Sequence, residues 1–150
     1  MSIFLKISSF YKFSRHYKFL LIELFFRSLI IEYYLRTGRL KRLKYLYSNS
    51  EERDALTPEQ AKYLRSTIRA MKVIERNAFW NPKCYNIALT VKKTLLKRSI
   101  DSSLHIGFLK KSGDFIGHAW LTRNDQVIIG MIDNLSAYKT VDSSDKAMPI

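Results

Sequence analysis

The hydrophobic pattern of this chain changes period once, just after Arg98. Upstream, apolar side chains recur every three or four residues; downstream, Leu104, Ile106 and Phe108 alternate with His105 and Gly107. A period near 3.6 is that of helices covered on one side, and a period of 2 is that of strands. Helices first and strands last predict an α+β domain, with helices packed on a small antiparallel sheet. At 150 residues, 47% of them hydrophobic and 26% charged, the chain suits one domain with its own core. We divide it into a basic helical segment over 1–50, a core over 57–141 and a poorly ordered tail over 142–150.

The segments upstream of Arg98 carry their own boundaries. A helix of about twenty residues ends near Thr37-Gly38, where glycine accepts the left-handed capping conformation. Arg39 to Tyr47 reads as a short basic helical continuation, and Ser48 to Glu52 as a polar break. Thr57-Pro58-Glu59-Gln60 predicts a capped helix start, running to about Arg76, with Leu64, Ile68, Met71 and Ile74 on its apolar face. Asn81-Pro82 predicts the next start, with Asn81 as cap and Pro82 in first position, so that Cys84 is the third helical residue. Ala88, Val91 and Leu95 bury one side of this helix, which ends at Lys97-Arg98. Beyond it, Ser112-Gly113-Asp114 is a turn, Phe115 to Arg123 a second strand, Asn124-Asp125 a two-residue loop and Gln126 to Ile132 a third strand.

Net charge is +13, and residues 1–50 hold ten Lys or Arg against Glu23 and Glu32. Such a field attracts acidic peptides, nucleic acid or anionic lipid. No helix-turn-helix, zinc-finger or aromatic-platform signature supports nucleic acid. Phe19 to Leu35 is apolar but contains Glu23, Arg27 and Glu32, and an ionised side chain at a bilayer centre costs roughly 2.5–3.5 kcal/mol. It reads as a buried helix with Glu23 and Arg27 paired at i,i+4, and its basic flanks leave peripheral membrane contact open. Lys62, Arg65, Arg69, Lys72 and Arg76 recur at helical steps as a basic stripe. The plain reading is a solvated face; the functional reading is a docking rail for an acidic peptide or partner.

The reactive candidates are few. Cys84 is the only cysteine, which excludes an internal disulfide and a cysteine-based zinc cage and suits a reducing, cytoplasmic setting. The three scattered histidines add no ligand spacing, so neither a metal nor another cofactor is expected. A cysteine in the first turn of a helix has orphan N–H groups and the positive dipole end beside it, and both favour the thiolate. The alternative is an inert buried thiol. Of the histidines, His118 stands between small neighbours, Gly117 and Ala119, that leave room around its ring; His105 reads as an ordinary sheet residue and His16 as structural or exposed. With Arg123 paired to Gln126, His118 falls opposite Met131 and Asp133 is its diagonal neighbour. Asp125 at the hairpin tip is about 20 Å away. A three-residue loop would turn Asp133 to the other face and bring Asn134 in its place. These roles describe acyl transfer. Cys84 attacks a carbonyl, His118 protonates the leaving amine, and the Cys84 N–H is an oxyanion donor, with Trp80 or Asn81 shaping the second. Trp120 is pocket wall or core.

Trp80-Asn81-Pro82-Lys83-Cys84, Ala88-Leu89, Leu95 to Ile100, Leu104-His105-Ile106-Gly107, His118-Ala119-Trp120 and Asp133 to Val141 appear in the order shown by the lasso-peptide leader peptidases. From about Ile68 to Val141 the chain resembles these B proteins of lasso-peptide biosynthesis, in the transglutaminase-like superfamily. Tyr85 and Ile87 depart from the family's usual Leu and polar residue, and the hairpin after His118 differs in length. The resemblance implies a papain/transglutaminase-like cysteine peptidase fold, with Cys84, His118 and Asp133 as its triad. It implies removal of the leader from a ribosomally made precursor, before a separate ATP-dependent cyclase closes the core peptide. Without a β-rich N-terminal third, the chain resembles the stand-alone form, which needs a separate small leader-recognition protein. Two other readings compete: a transglutaminase or deamidase on the same fold, and a non-catalytic basic module that binds membranes or peptides.

Overall fold

A computed structural model describes residues 14–48 and 55–141. The tail at 142–150 and most of the polar break after Ser48 lie outside the described residues. Helix α1 spans Arg15–Arg36 and begins at Ser14, whose hydroxyl accepts from the Tyr17 N–H at 3.4 Å. Thr37 closes it, and Gly38 at φ 67° takes the chain away from the axis as expected. The continuation is a 3-10 helix, Leu40–Leu46. Leu40, Leu43 and Leu46 are spaced by three, which a 3-10 helix brings onto one side; Leu43 and Leu46 are fully buried.

Helix α2, Pro58–Asn77, starts with the reciprocal cap that its first residues predict. The Thr57 hydroxyl accepts from the Gln60 N–H at 3.2 Å, and the Gln60 side chain accepts from the Thr57 N–H at 3.1 Å. Its buried strip is Thr67, Ala70, Met71 and Ile74, so Leu64 and Ile68 are only half-buried.

Helix α3, Cys84–Leu96, touches α1, α2 and the sheet and is buried on nearly every side from Asn86 to Val91. The expected Asn81 cap is corrected. Lys83 is the N-cap, Pro82 is buried ahead of the helix, and Cys84 is its first residue rather than its third. The chain leaves α2 at Ala78 and buries Trp80, whose indole N–H donates to the Ser28 hydroxyl at 3.3 Å. It then turns at Asn81 in the left-handed region, φ 49°. Holding Trp80 in the core displaces the helix start by two residues.

A buried polar junction fastens α3 to α1. The Ser28 hydroxyl donates to Asn86 Oδ1 at 2.7 Å, and Asn86 Nδ2 donates to the Ser28 carbonyl at 3.1 Å and to Glu32 at 2.7 Å. Thr90 adds its hydroxyl to Asn86 Oδ1 at 3.1 Å. Glu23 binds Arg27 at 2.5 Å and reaches across to Lys97 at 2.8 Å. Burial pushes the Glu23 carboxyl up, but Lys97's hydrogen bond and the charges of Arg27 and Lys97 outweigh it and hold it below its ordinary value.

Strands β1 (Ser103–Lys111), β2 (Asp114–Arg123), β3 (Gln126–Ile129) and β4 (Lys139–Val141) form one antiparallel sheet in the order β3-β2-β1-β4. Both hairpins close with two residues at positive φ, Ser112-Gly113 and Asn124-Asp125, the backbone that suits the right-handed twist of the strands. Arg123 pairs with Gln126 as expected. Beyond that the ladder bulges between Leu121 and Thr122, and β3 stops at Ile129 instead of Ile132. Strand β4 was not expected. Its three residues are all exposed, so no alternation betrays it. Leu104, Ala119, Leu121 and Ile129 are buried in the common core.

The polar junction and a tyrosine pair supply two tests. Asn86→Ala removes the shared acceptor of the Ser28 and Thr90 hydroxyls and the donor to the Ser28 carbonyl and Glu32, and should cost about 2–4 kcal/mol in urea denaturation. The Tyr47 and Tyr85 hydroxyls touch. Burial pushes the Tyr85 phenol up, and the Tyr47 hydroxyl beside it pushes further; burial likewise raises Tyr47. A phenol raised in the folded state contributes stability that is full below its unfolded value of 10.0 and is lost as pH rises beyond it. The urea midpoint should fall between about pH 8 and about pH 11, and Tyr85→Phe should flatten that fall.

Candidate active site

Cys84 opens α3 with no side chain capping the helix. The first helical turn bonds from the Ile87 N–H to the Lys83 carbonyl at 3.0 Å, so the amides of Cys84, Tyr85 and Asn86 are the orphans of that end. The positive end of the dipole and these N–H groups lie where an anion formed at the thiol, or an oxyanion formed from its target, would sit. Cys84 is a free, half-buried thiol. Tyr85, the next residue, is held by Tyr47, and Asn86 by α1.

His118 comes from the middle of β2 and shares a cleft of about 360 Å³ with Cys84. The rest of the wall is Ile87 and Ala88 of α3, Lys72 and Glu75 of α2, Ala119 of β2, and the run from Val127 to Ile132. The His118 ring stacks on Trp120 at 5.9 Å between centroids and is tilted against Tyr138 at 5.6 Å. Gly107 stands opposite His118, and a Cβ there would meet the Trp120 ring at 3.0 Å and Tyr138 at 3.1 Å, so this glycine makes the aromatic packing possible. His105, opposite Trp120 across the β1–β2 ladder, stacks on the same tryptophan at 5.5 Å and bonds Thr122 at 2.8 Å, which accounts for it within the sheet.

The imidazole is oriented by main chain. His118 Nε2 lies 2.7 Å from the Gly130 carbonyl oxygen. A carbonyl only accepts, so Nε2 carries a proton in this contact, and in the neutral ring Nδ1 is left as the base. No hydrogen bond joins the ring to Cys84 among the described residues. Gly130 has φ 86°, and a Cβ on it would lie 2.8 Å from both the Ala119 carbonyl and Trp120 Cβ. Only glycine lets the chain pass this close to β2 with its carbonyl toward the ring.

Asp133 is exposed in the turn ahead of a short 3-10 helix, Leu135–Ala137, and forms no hydrogen bond or ion pair among the described residues. The expected pairing of His118 with Met131 does not form, because the bulge shifts the register and β3 ends before it. Asn134 is the N-cap of the 3-10 helix and Asp125 stays at the exposed hairpin tip. Trp80 and Trp120 are both buried and stand outside the cleft wall. Lys62, Arg65, Arg69, Lys72 and Arg76 are all exposed, and Lys72 alone reaches the cleft. Sequence reading missed Gly130, although an isolated glycine inside a strand pattern is itself a sign of close backbone approach.

Helices leading into a small antiparallel sheet, with a helix-start cysteine and a strand histidine on one cleft, define the class of α+β thiol–imidazole proteins. The family model of the transglutaminase-like superfamily matches residues 29–143, and the chain belongs to that superfamily. It is typically one of cysteine-dependent enzymes and is compatible with peptidase or acyltransferase chemistry. No curated protein and no solved structure matches the chain.

The role of Gly130 can be measured without substrate. Gly130→Ala should destabilise the fold by more than about 1 kcal/mol and abolish the Nε2–H tautomer signature of neutral His118 in nitrogen NMR. Asp133→Asn should leave both unchanged.

Proposed function

We propose that this protein is a cysteine peptidase that removes the leader from a ribosomally made precursor of the lasso-peptide kind. The observation that carries the reading is the sharing of one cleft by His118 and by Cys84 at an uncapped helix start. The superfamily membership supports a cysteine enzyme, and the run of motifs from Trp80 to Val141 supports the narrower assignment.

In the proposed reaction Nδ1 of His118 takes the thiol proton as Cys84 Sγ attacks the scissile carbonyl. The Cys84 N–H donates to the oxyanion. The tetrahedral adduct collapses to a thioester, and the imidazolium gives its proton to the departing amine, the freed N-terminus of the core peptide. Water, deprotonated by the same ring, then cleaves the thioester and restores the thiol. Gly130 keeps the ring in the required tautomer, which leaves Asp133 out of this scheme. The exposed cations Lys62, Arg65, Arg69, Lys72 and Arg76 suit an acidic stretch of the leader, which Lys72 would lead into the cleft. A separate leader-recognition protein, a downstream ATP-dependent cyclase and a cytoplasmic setting belong to the same reading.

The test is cleavage of a precursor peptide, with its leader-recognition partner present, followed by mass spectrometry. Cys84→Ala should abolish cleavage, and His118→Ala should slow it by about 100- to 10,000-fold. Reversing the five α2 cations to Glu should raise KM with little change in kcat. Cleavage that persists in Cys84→Ala removes the peptidase reading. Release of ammonia, or incorporation of an added amine in place of leader removal, assigns the same chemistry to a deamidase or a transglutaminase.

A further inference from the structure

Helix α1 buries Leu20, Leu21, Leu24 and Ile31 and, among the described residues, leaves a second apolar face uncovered. Phe19 is 71% exposed, Ile22 47%, Phe26 57%, Ile30 47% and Tyr33 49%. At about 100° per residue these five fall within an arc of about 80°, along about 21 Å of helix. Phe79, 84% exposed, is linked to the face by a chain of ring contacts, Phe79 to Trp80 at 5.0 Å, Trp80 to Phe25 at 4.9 Å and Phe25 to Phe26 at 5.5 Å. A contiguous uncovered apolar face of this kind marks an interaction surface, and none of its residues lines the cleft.

The charges around it choose the partner. Arg15 stands four residues before Phe19 on the same arc and is exposed, and Arg39 lies over the Tyr33 ring at 5.3 Å at the other end. The two acids of α1 are already engaged, Glu23 by Arg27 and Lys97 and Glu32 by Arg36 and Asn86. Lys41 and Lys44 of the following 3-10 helix are exposed as well. A second copy of the chain carries the same net charge of +13, and like charges oppose that contact. Among the described residues no helix is long and apolar enough to cross a membrane.

We propose that α1 lies in the plane of an anionic lipid surface, with Phe19, Ile22, Phe26, Ile30 and Phe79 inserted below the headgroups and Arg15 and Arg39 against lipid phosphates. An apolar ridge with cationic ends meets both requirements of interfacial binding, buried apolar area and attraction to negative headgroups. This face is independent of the cysteine chemistry, so either reading can fail alone.

The experiment is flotation of the full chain with vesicles of phosphatidylcholine alone and of phosphatidylcholine mixed with phosphatidylglycerol. The chain should float with the mixed vesicles and not with the neutral ones. Phe19→Ser with Phe26→Ser should lower its partition coefficient by about tenfold or more, and Arg15→Glu with Arg39→Glu should lower it most at low ionic strength, the difference shrinking as salt is added. Both pairs are on the surface, and an unchanged thermal melt separates lost binding from lost fold. Absence of binding to the mixed vesicles overturns the proposal, as does binding that ignores the phenylalanine pair. A dimer in light scattering that dissolves in Phe19→Ser with Phe26→Ser also overturns it and assigns the face to a second copy.

Discussion

The side-chain amide of Asn86 is engaged at both ends by α1, through the Ser28 hydroxyl, the Ser28 carbonyl and Glu32. Asn86 lies two residues along α3 from Cys84, so these bonds set where the thiol stands relative to the rest of the core. Apolar contacts alone would permit a helix like this one to slide or rotate, since hydrophobic burial has no direction. Hydrogen bonds buried at both partners allow one arrangement, because every alternative leaves polar groups unpaired. Trp80 enters the same junction and brings the segment leading to the helix under the same constraint.

The other half of the cleft is held by a different device. His118 is positioned by the backbone carbonyl of Gly130 and by stacking on Trp120 and against Tyr138. A carbonyl does not titrate, so this orientation does not depend on the ionisation of a partner. It also carries no full charge, and it supports an imidazolium less than a carboxylate would. The bulge in β2–β3 and the left-handed Gly130 together bring that carbonyl to the ring. Thiol and imidazole therefore come from two separately fixed elements, a helix pinned at its first turns and a strand braced by the return of its neighbour.

The outer surfaces divide between two helices. Helix α2 turns its cations outward and contributes Lys72 and Glu75 to the cleft, whereas α1 turns outward an apolar ridge with cations at its ends. Glu23 joins α1 to Lys97 just beyond α3. The net charge that composition reports is distributed over both, and composition alone does not distinguish them.

Local chemistry makes much of this legible in the sequence. Thr57-Pro58-Glu59-Gln60 forms its cap among neighbours in the chain, Gly38 needs only its own backbone freedom, and Asn124-Asp125 closes its hairpin by turn geometry. The period change after Arg98 follows from burial of one face of each element, so the α+β class and the locations of Cys84 on a helix and His118 on a strand could be read from residues alone. What depends on distant partners could not. Burial of Trp80 against Ser28 moves the start of α3, the bulge and the end of β3 displace Asp133 from His118, and β4 pairs with β1 without a pattern of its own. The partner of the imidazole, and the face of α1 left to solvent, were decided only when these elements packed, because each is a relation between surfaces far apart in the chain.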